Sequence, residues 1–262
     1  MILGISGKKQ AGKTTAANII YGEHLYKNQL VKDYSINKEG KLSVETSDGD
    51  GWGFFDIERK DQEFAEYAHY NIWPWVKLYN FGDELKRICV ELFDIPFGCV
   101  YGTDEQKNQI QEHLLWENMP GICTRDEHPY YKTVSSQRHY VTYHEPGPMT
   151  AREFMQYFGT DVMRKIWEPV WINSCIKKIK REQSELAIIA DVRFPNEVKA
   201  INEAGGKVLR LKRDPYGDSH DSETALDPEN FDQSKFWRFI DNQETTISDV
   251  AQSIKKILKE IK

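Results

Sequence analysis

The stretch GISGKKQAGKTTAANII, residues 4–20, decides the fold of this chain because it contains the pattern G-x-x-x-x-G-K-[ST]. Apolar residues just before the pattern predict a short buried strand, and apolar residues at helical spacing over 14–27 predict a helix. In such a strand, loop and helix, the backbone N–H groups of the loop can surround a phosphate. A glycine-rich turn without a ligand is the alternative, and the flanking strand and helix argue against it.

The composition indicates a globular chain with enough apolar residues for a full core. The 262 residues are 39% hydrophobic and 29% charged, which allows one large or two small domains, and we expect a single domain over 1–262. Asp and Glu outnumber Lys and Arg by 41 to 35, and the sequence has no dense basic tract. We therefore expect no nucleic acid as the main partner. A homodimer stays open.

Membrane and disulfide patterns are missing from the sequence. No run of roughly 18 apolar residues occurs, and the apolar N-terminus is too short for a secretory signal, so we expect a cytoplasmic protein without membrane contact. The cysteines at positions 89, 99, 123 and 175 form no C-x-x-C pair. We expect them to be reduced thiols rather than a disulfide scaffold or a zinc ribbon.

The alternation of strand and helix patterns predicts the fold class. Further strand patterns lie at 76–81, 185–191, 207–212 and 237–241. The helix patterns lie at 83–93, from the capping box Thr150–Glu153 onward, at 169–182, from Pro195 to Gly205, and at 246–261. Strands that alternate with helices predict an α/β fold with a mainly parallel sheet covered by helices on both faces.

Three segments interrupt this alternation. Residues 33–44 alternate around turn residues at 37–40, which predicts a β-hairpin flap inserted within 28–75. The acidic, glycine-rich segment 46–53 is typical of a mobile loop. Residues 94–148 show no clear periodicity, and because such long loops are uncommon in a compact domain, we expect a substrate-covering region with short helices.

Four side chains carry the chemistry expected of the loop. Lys13 can neutralise β- and γ-phosphate oxygens, and Thr14 can ligate Mg²⁺. Asp191 ends a buried strand, where a second carboxylate for magnesium belongs, although a helix N-cap is an alternative. Arg193 would stabilise charge on a transferred phosphoryl group, or form a surface salt bridge. The loop positions predicted to contact the nucleotide are Gly7, Gln10, Ala11, Gly12, Lys13, Thr14 and Thr15.

Further motifs along the chain carry a resemblance to a known family. They are GKKQAGKTT (7–15), YNFGDELKRICVELF (79–93), YGTDEQKN (101–108), MTAREFMQYFGTDVMR (149–164), IIADVRFPNEV (188–198), DSHDSETALD (218–227) and IDN (240–242). Together they resemble the deoxynucleoside monophosphate kinases of tailed phages, which belong to the P-loop kinases. The segments 28–75 and 124–147 match only loosely. For a phage protein, the cytoplasm would be that of the host.

The resemblance implies an acceptor site. Its residues are Asp83 and Lys86 at the entry, Arg152, Gln156 and Arg164 on a helix that faces the acceptor, and Asp104 and Lys107 in a nearby loop. Two arginines near an acceptor phosphate would let two anions approach each other. The alternatives are a helix-terminal acid for Asp83, a solvated charged helix face for 152–164, and a plain turn for 102–108.

The resemblance also implies a lid over the donor phosphates, at about 213–230. Arg213, His220 and Glu223 lie in this segment, and its glycine and aspartate content is consistent with a loop that moves. A plain acidic loop is the alternative. Asn242 corresponds to the position that contacts adenine in relatives of the fold, although asparagine after a strand is also a common turn residue.

The implied reaction is transfer of the γ-phosphoryl of ATP to a deoxynucleoside monophosphate, with Mg²⁺ bound to the donor. One alternative is another small-molecule P-loop kinase, of the phosphomevalonate or dephospho-coenzyme A type, because it would share the fold and differ in the acceptor. A P-loop NTPase switch without acceptor is a second, and an inactive nucleotide-binding module is a third. The presence of Lys13, Thr14 and Asp191 argues against the inactive module.

Two other kinds of site are weighed and disfavoured. A zinc site would draw its ligands from Cys123, His128, His139 and His144, but their spacing matches no tight chelating pair. A serine hydrolase is not supported because the sequence lacks a G-x-S-x-G elbow.

Overall fold

The computed structural model describes residues 1–46, 51–124, 142–215 and 221–260. The chain divides into two compact units, of which the first is Met1–Phe81 with Ile172–Lys262 and the second is Gly82–Trp171. The strands are β1 (Ile2–Ser6), β2 (Asp33–Ile36), β3 (Leu42–Glu45), β4 (Trp52–Phe54), β5 (Val76–Tyr79), β6 (Ile110–Leu115), β7 (Ile122–Thr124), β8 (Thr142–His144), β9 (Pro148–Thr150), β10 (Leu186–Val192), β11 (Lys207–Leu211) and β12 (Arg238–Ile240).

The helices follow the same order. They are α1 (Lys13–Lys27), α2 (Gln62–Asn71), α3 (Asp83–Phe93), α4 (Phe97–Tyr101), α5 (Asp104–Lys107), α6 (Ala151–Gln156), α7 (Val170–Glu182), α8 (Pro195–Glu203), α9 (Asp221–Thr224) and α10 (Ile247–Leu258). Short 3₁₀ turns occupy Trp116–Asn118 and Gln233–Lys235, and Tyr157–Arg164 is π-helical. None of the described helices is both long and apolar enough to cross a membrane.

The first unit is built on a five-stranded parallel sheet in the order β12-β11-β1-β10-β5. The central strand β1 leads directly into the loop at 7–14, and its neighbour β10 carries Asp191. Because parallel strands all end at the same edge, the loop, Asp191 and Arg193 lie at one edge of this sheet. The predicted α/β fold with a mainly parallel sheet is confirmed.

Both faces of the sheet are buried, which explains why its strands are almost continuously apolar. Leu3 and Ile5 of β1 pack in one core with residues of α1 and α10, while Ile2 packs in a second core with residues of α7 and α8. Gly4 faces the second core, where an added Cβ would lie 2.8 Å from Ile201 Cδ1. Large side chains therefore alternate between the faces of β1, and a glycine stands where α8 approaches closely.

The predicted hairpin is present, since β2 and β3 pair antiparallel from Asp33–Glu45 to Ile36–Leu42. The prediction of a mobile loop over 46–53 is wrong at its end, because β4 pairs antiparallel with β3. Residues 47–50 lie outside the described residues. Helix α2 was not predicted, although Asp61 caps it by accepting a 3.2 Å hydrogen bond from the Phe64 N–H. Its helical face was hidden by an even spread of polar residues.

The second unit has its own core, formed by α3, α4, α6 and the short strands. Cys89, Trp116, Met149 and Phe154 are among its buried residues. The predicted short helices within 94–148 are present as α4 and α5, and β6 with β9 adds an antiparallel pair. The sequence patterns did not predict these strands, because β6 alternates poorly between buried and exposed residues. Residues 125–141 lie outside the described residues.

Helix ends agree well with the capping patterns. Thr150 accepts from the Glu153 N–H at 3.2 Å and the Glu153 carboxylate accepts from the Thr150 N–H at 2.8 Å, so the predicted capping box is confirmed. The helix that it opens widens into the π-helical stretch, where the Gly159 carbonyl accepts a 3.0 Å hydrogen bond from the Trp171 indole. Cys89, Cys99 and Cys175 are buried and form no disulfide among the described residues, while the side chain of Cys123 is not described.

Candidate active site

The loop between β1 and α1 has the geometry of a phosphate-binding loop. Gly12 is left-handed, with φ of +92°, and Gln10 also has a positive φ, of +57°. The Ala11 N–H donates to the Lys8 carbonyl at 3.1 Å, which closes a tight turn before α1 begins at Lys13. Backbone N–H groups at the start of α1 have no intrahelical partner, so this end of the helix favours an anion.

The Lys13 side chain folds back over the loop. Its Nζ donates to the carbonyl oxygens of Gly7 at 2.7 Å and Lys8 at 2.8 Å. Burial, and after it the nearby positive charge of Arg193, lower the Lys13 pKa to about 8, while Glu223 and Asp191 oppose the shift. A phosphate in the loop would supply the negative charge that this ammonium lacks.

Arg193 is held at the loop by a buried carboxylate. Its Nη1 pairs with Glu223 Oε1 at 2.7 Å, and Glu223 Oε2 also accepts a hydrogen bond from the Lys9 N–H. The Glu223 side chain is only 5% exposed, whereas that of Arg193 is 37% exposed. The Arg193 N–H donates in turn to the carboxylate of Glu197 at 2.7 Å. Arg193 is therefore both a salt-bridge partner and a cation at the mouth of the loop.

A second acidic residue supports the loop from the same segment. Asp227 pairs with Lys8 at 2.5 Å and with Arg210 at 3.3 Å, and Arg210 also donates to the Ser6 hydroxyl at 2.9 Å. Burial lowers the pKa of Arg210, which Asp227 counteracts. The first half of the loop, at Lys8 and Lys9, is thus tied to the segment after 220, where Leu226 is buried in the core.

Asn242 connects the loop to the strand end at β12. Its amide nitrogen donates to the Ala11 carbonyl at 2.7 Å, and its amide oxygen accepts from the Arg213 N–H at 3.0 Å. Asn242 is 7% exposed, so both bonds are shielded from water. Asn242 therefore positions the loop, a role that was not predicted from the sequence. The predicted contact of Asn242 with adenine stays a prediction.

A cleft of about 550 Å³ opens over the loop. Its lining combines the predicted residues Gln10, Ala11, Gly12, Lys13, Thr14, Thr15, Arg193, Arg213 and Asn242 with Lys9, Lys38, Glu39, Thr245, Ile247 and Val250. Five lining side chains are cationic and one is a carboxylate, so the cleft is electropositive. Phosphate groups fit the charged end, and the apolar residues from α10 offer a surface for a flat ring.

The donor set suits a metal that arrives with a phosphate ligand. The described residues contain no group of three His, Cys, Asp or Glu that could hold a metal ion by themselves. The loop offers the Thr14 hydroxyl. Asp191 is close enough to Lys13 for its negative charge to oppose part of the fall in the Lys13 pKa. Hard oxygen donors of this kind, completed by substrate phosphates, are what Mg²⁺ prefers. The N-cap alternative for Asp191 is wrong, because Asp191 lies within β10 and Phe194 is the N-cap of α8.

The predicted acceptor residues lie in the second unit. Asp83 is buried in the first turn of α3, and Lys86 Nζ lies 5.2 Å from the centre of the Tyr101 ring. Burial together with the negative charge of Asp83 raises the pKa of Tyr101 to about 12. Phe97 stacks on the same ring at 4.5 Å. The structure thus brings Asp83, Lys86 and an aromatic pair together.

Arg152 and Asp104 form the other predicted cluster in this unit. Arg152 Nη2 pairs with Asp104 Oδ1 at 2.5 Å, and Lys107 ends the short helix that Asp104 begins. Gln156 is exposed at the end of α6, and Arg164 is the last π-helical residue, half-buried. Within the described part of the chain, neither of these two residues forms a hydrogen bond or ion pair with Arg152 or Asp104. His220 lies outside the described residues.

Several residues at the loop were missed from the sequence. Glu197 is three residues after Phe194, the N-cap of α8, which is the spacing of a capping box. This spacing could have identified Glu197. Arg210 lies in no motif, and Asp227 ends the motif 218–227 but was assigned no role, because each acts through contacts distant in sequence. Lys38 and Glu39 reach the cleft from the hairpin, which the resemblance covered only loosely.

Comparison with known proteins agrees with this geometry. A model of the deoxynucleotide monophosphate kinase family matches residues 91–258, which is more than half of the 262-residue chain. The match includes Arg152, Asp191, Arg193 and Asn242, and it begins after the loop and the hairpin. A protein of Acanthamoeba polyphaga mimivirus, provisionally named a deoxynucleotide monophosphate kinase, is 26% identical over 164 residues, covering 56% of this chain and 67% of the mimivirus protein.

Proposed function

Because the chain belongs to the deoxynucleotide monophosphate kinase family, we propose that it transfers the γ-phosphoryl of ATP to a deoxynucleoside 5'-monophosphate, giving the diphosphate and ADP. The observation that carries the proposal is the loop itself, with Lys13 bonded to the carbonyls of Gly7 and Lys8 and Arg193 held beside it. The cleft above the loop has room for a nucleotide and a strongly positive lining.

The loop residues bind and orient the donor. The N–H groups at the start of α1 face the β-phosphate, and Lys13 exchanges its carbonyl partners for phosphate oxygens. Thr14 and Asp191 would hold Mg²⁺, which neutralises phosphate charge when bound. Arg193 remains aimed by Glu223 and stabilises the charge that develops on the transferred group.

No general base is needed for this reaction. The phosphate of the acceptor is already ionised at neutral pH, so alignment and charge stabilisation carry the catalysis. We assign acceptor binding to the second unit, with Arg152 and Lys86 as the phosphate-binding cations and Asp83, Asp104, Lys107, Gln156 and Arg164 as further predicted contacts. A lid within 213–230 that excludes water, and a single functional domain over 1–262, stay predictions.

The test is release of ADP from Mg-ATP in the presence of single acceptors. The panel contains dAMP, dCMP, dGMP, dTMP, their ribose counterparts, phosphomevalonate and dephospho-coenzyme A. We expect stimulation by one or more deoxynucleotides and none by the last two compounds. ADP release that is equal with and without every acceptor would instead indicate a P-loop NTPase.

A further inference from the structure

The tip of the β2–β3 hairpin, which is predicted to be an inserted flap, is held in one turn by hydrogen bonds. The Asn37 side-chain oxygen accepts hydrogen bonds from the N–H groups of Glu39 at 3.0 Å and Lys41 at 2.9 Å. The Gly40 N–H donates to the Asn37 carbonyl at 2.9 Å, and Gly40 itself is left-handed, with φ of +79°. Asparagine and glycine at these positions hold one turn conformation. Lys38, the first of the two residues between them, therefore has a well-defined backbone position.

The tip is also docked on the helix that follows the phosphate-binding loop. The buried Asn18 side chain donates to the Gly40 carbonyl at 2.8 Å. A Cβ on Gly40 would overlap the Thr15 hydroxyl, and one on Gly22 would lie 2.5 Å from Tyr34 Cδ2. Hairpin and helix are thus in contact at two points along α1. Their closeness leaves little freedom for the hairpin to swing away from the loop.

This docking adds positive charge to the nucleotide cleft. Lys38 and Glu39 line the cleft together with Thr14 and Thr15. Glu39 pairs with Lys41 at 2.9 Å, and that hydrogen bond lowers the pKa of Glu39, so its charge is balanced on the hairpin itself. Lys38 has no carboxylate partner among the described residues. Of the two cleft-lining residues at the tip, Lys38 and Glu39, we expect only the Lys38 ammonium to bind a ligand in the cleft.

We propose that Lys38 is a binding residue for the phosphate chain of the donor nucleotide, presented by the hairpin from outside the segment that the family model matches. The inference rests on the proposed function for the identity of the donor. Thr15 links the hairpin to the proposed phosphate position. Gly40 packs against the Thr15 side chain, and the Thr15 N–H belongs to the anion-binding end of α1. A flexible lysine at this edge contributes affinity for a polyanion rather than chemistry.

Calorimetric titration of the intact protein with ATP, ADP and adenosine tests this. The variant is Lys38→Gln, and the matched control is Lys32→Gln, which removes the same charge from the other end of the hairpin, where Lys32 pairs with Glu45. We expect Lys38→Gln to raise the dissociation constants of ATP and ADP about three- to tenfold, with little effect on adenosine. Lys32→Gln should leave all three unchanged.

Three outcomes would overturn the inference. They are an unchanged affinity for ATP in Lys38→Gln, an equal loss for adenosine, and an equal loss in Lys32→Gln. Thermal melting of both variants checks that the hairpin remains folded. If the wild-type protein binds ATP but phosphorylates no deoxynucleotide, the proposed function fails, and the titration still decides the role of Lys38.

Discussion

The loop at 7–14 in the first unit and the charged cluster of the second unit are built in different ways, and we propose that each binds a ligand. The loop uses backbone N–H groups and one lysine within eight consecutive residues, 7–14. The cluster uses side chains from separate elements, as in the Arg152–Asp104 pair, whose members are 48 residues apart in sequence. Backbone contacts are almost independent of side-chain identity, whereas the cluster depends on each side chain. Donor binding should therefore be concentrated in few residues and acceptor binding spread over many.

Lys13→Ala should produce the largest effect, because Lys13 is the loop side chain that we expect to neutralise the β- and γ-phosphate oxygens during the transfer. We expect kcat to fall about a thousandfold, in line with the loss of a single preorganised charge donor. The control is Lys9→Ala, which keeps the backbone N–H that Glu223 accepts and should cost less than about threefold. Equal losses of kcat in the two variants would mean that the loop acts through its total positive charge and not through Lys13 in particular.

Arg152→Gln should show how much one side chain of the second unit contributes. We expect the KM for the deoxynucleotide to rise about tenfold with the KM for ATP unchanged, since Arg152 is assigned to the acceptor phosphate. Arg87→Gln is the control, because Arg87 belongs to the same unit and pairs with Glu84 and Glu91 on the surface of α3. A parallel rise in both KM values would contradict the division between donor and acceptor residues.

Glu223→Gln should lower kcat about fivefold by loosening Arg193 and the Lys9 N–H without removing either group. The amide keeps the shape of the carboxylate but leaves the Arg193 charge without a partner, so we expect a lower melting temperature as well. Because Glu223 acts through other residues, Arg193→Gln and the double variant should lose similar activity. Additive losses would show that Glu223 acts independently of Arg193.

The pKa of Lys13 predicts a smaller, pH-dependent effect. With a pKa of about 8 in the free protein, Lys13 is partly neutral at pH 8, and a bound phosphate favours its protonated form. Binding of Mg-ATP should then take up on the order of half a proton at pH 8 and much less at pH 6.5. Affinity should fall as the pH rises above about 8.

Titration calorimetry in buffers of different ionisation enthalpy measures this uptake. Lys13→Arg serves as the control, since a guanidinium stays charged throughout this pH range. Uptake that persists undiminished in Lys13→Arg would assign the proton to another group.

The same contrast explains what could be predicted from the sequence. The sheet, α1, α3, α7, α8 and α10 follow from local periodicity and capping residues, and the box Thr150–Glu153 in the same way marks the start of α6. The strands β6 and β9 could not be predicted in this way, because their pairing joins residues about 40 apart in sequence and their side chains do not alternate cleanly. Local patterns therefore specify the parallel sheet and the longer helices next to it well, and the antiparallel strands of the second unit poorly.

The site divides in the same way. Lys13, Thr14 and Arg193 were found because the motif or a neighbouring strand end marks them, and the structure gathers them at one sheet edge. The support by Asp227 and the docking of Gly40 on Thr15 could not be found, since each is a tertiary contact between segments without a shared pattern. Positioning residues whose partners are distant in sequence are the ones that spacing alone does not reveal.

The central claim is tested most directly by following the γ-phosphoryl group itself. ATP labelled at the γ-phosphorus is incubated with Mg²⁺, the protein and each deoxynucleoside monophosphate, and the products are separated. We expect label in a deoxynucleoside diphosphate, with little in inorganic phosphate, and loss of both in Lys13→Ala. Label that appears only in inorganic phosphate, whichever deoxynucleotide is present, would contradict the central claim.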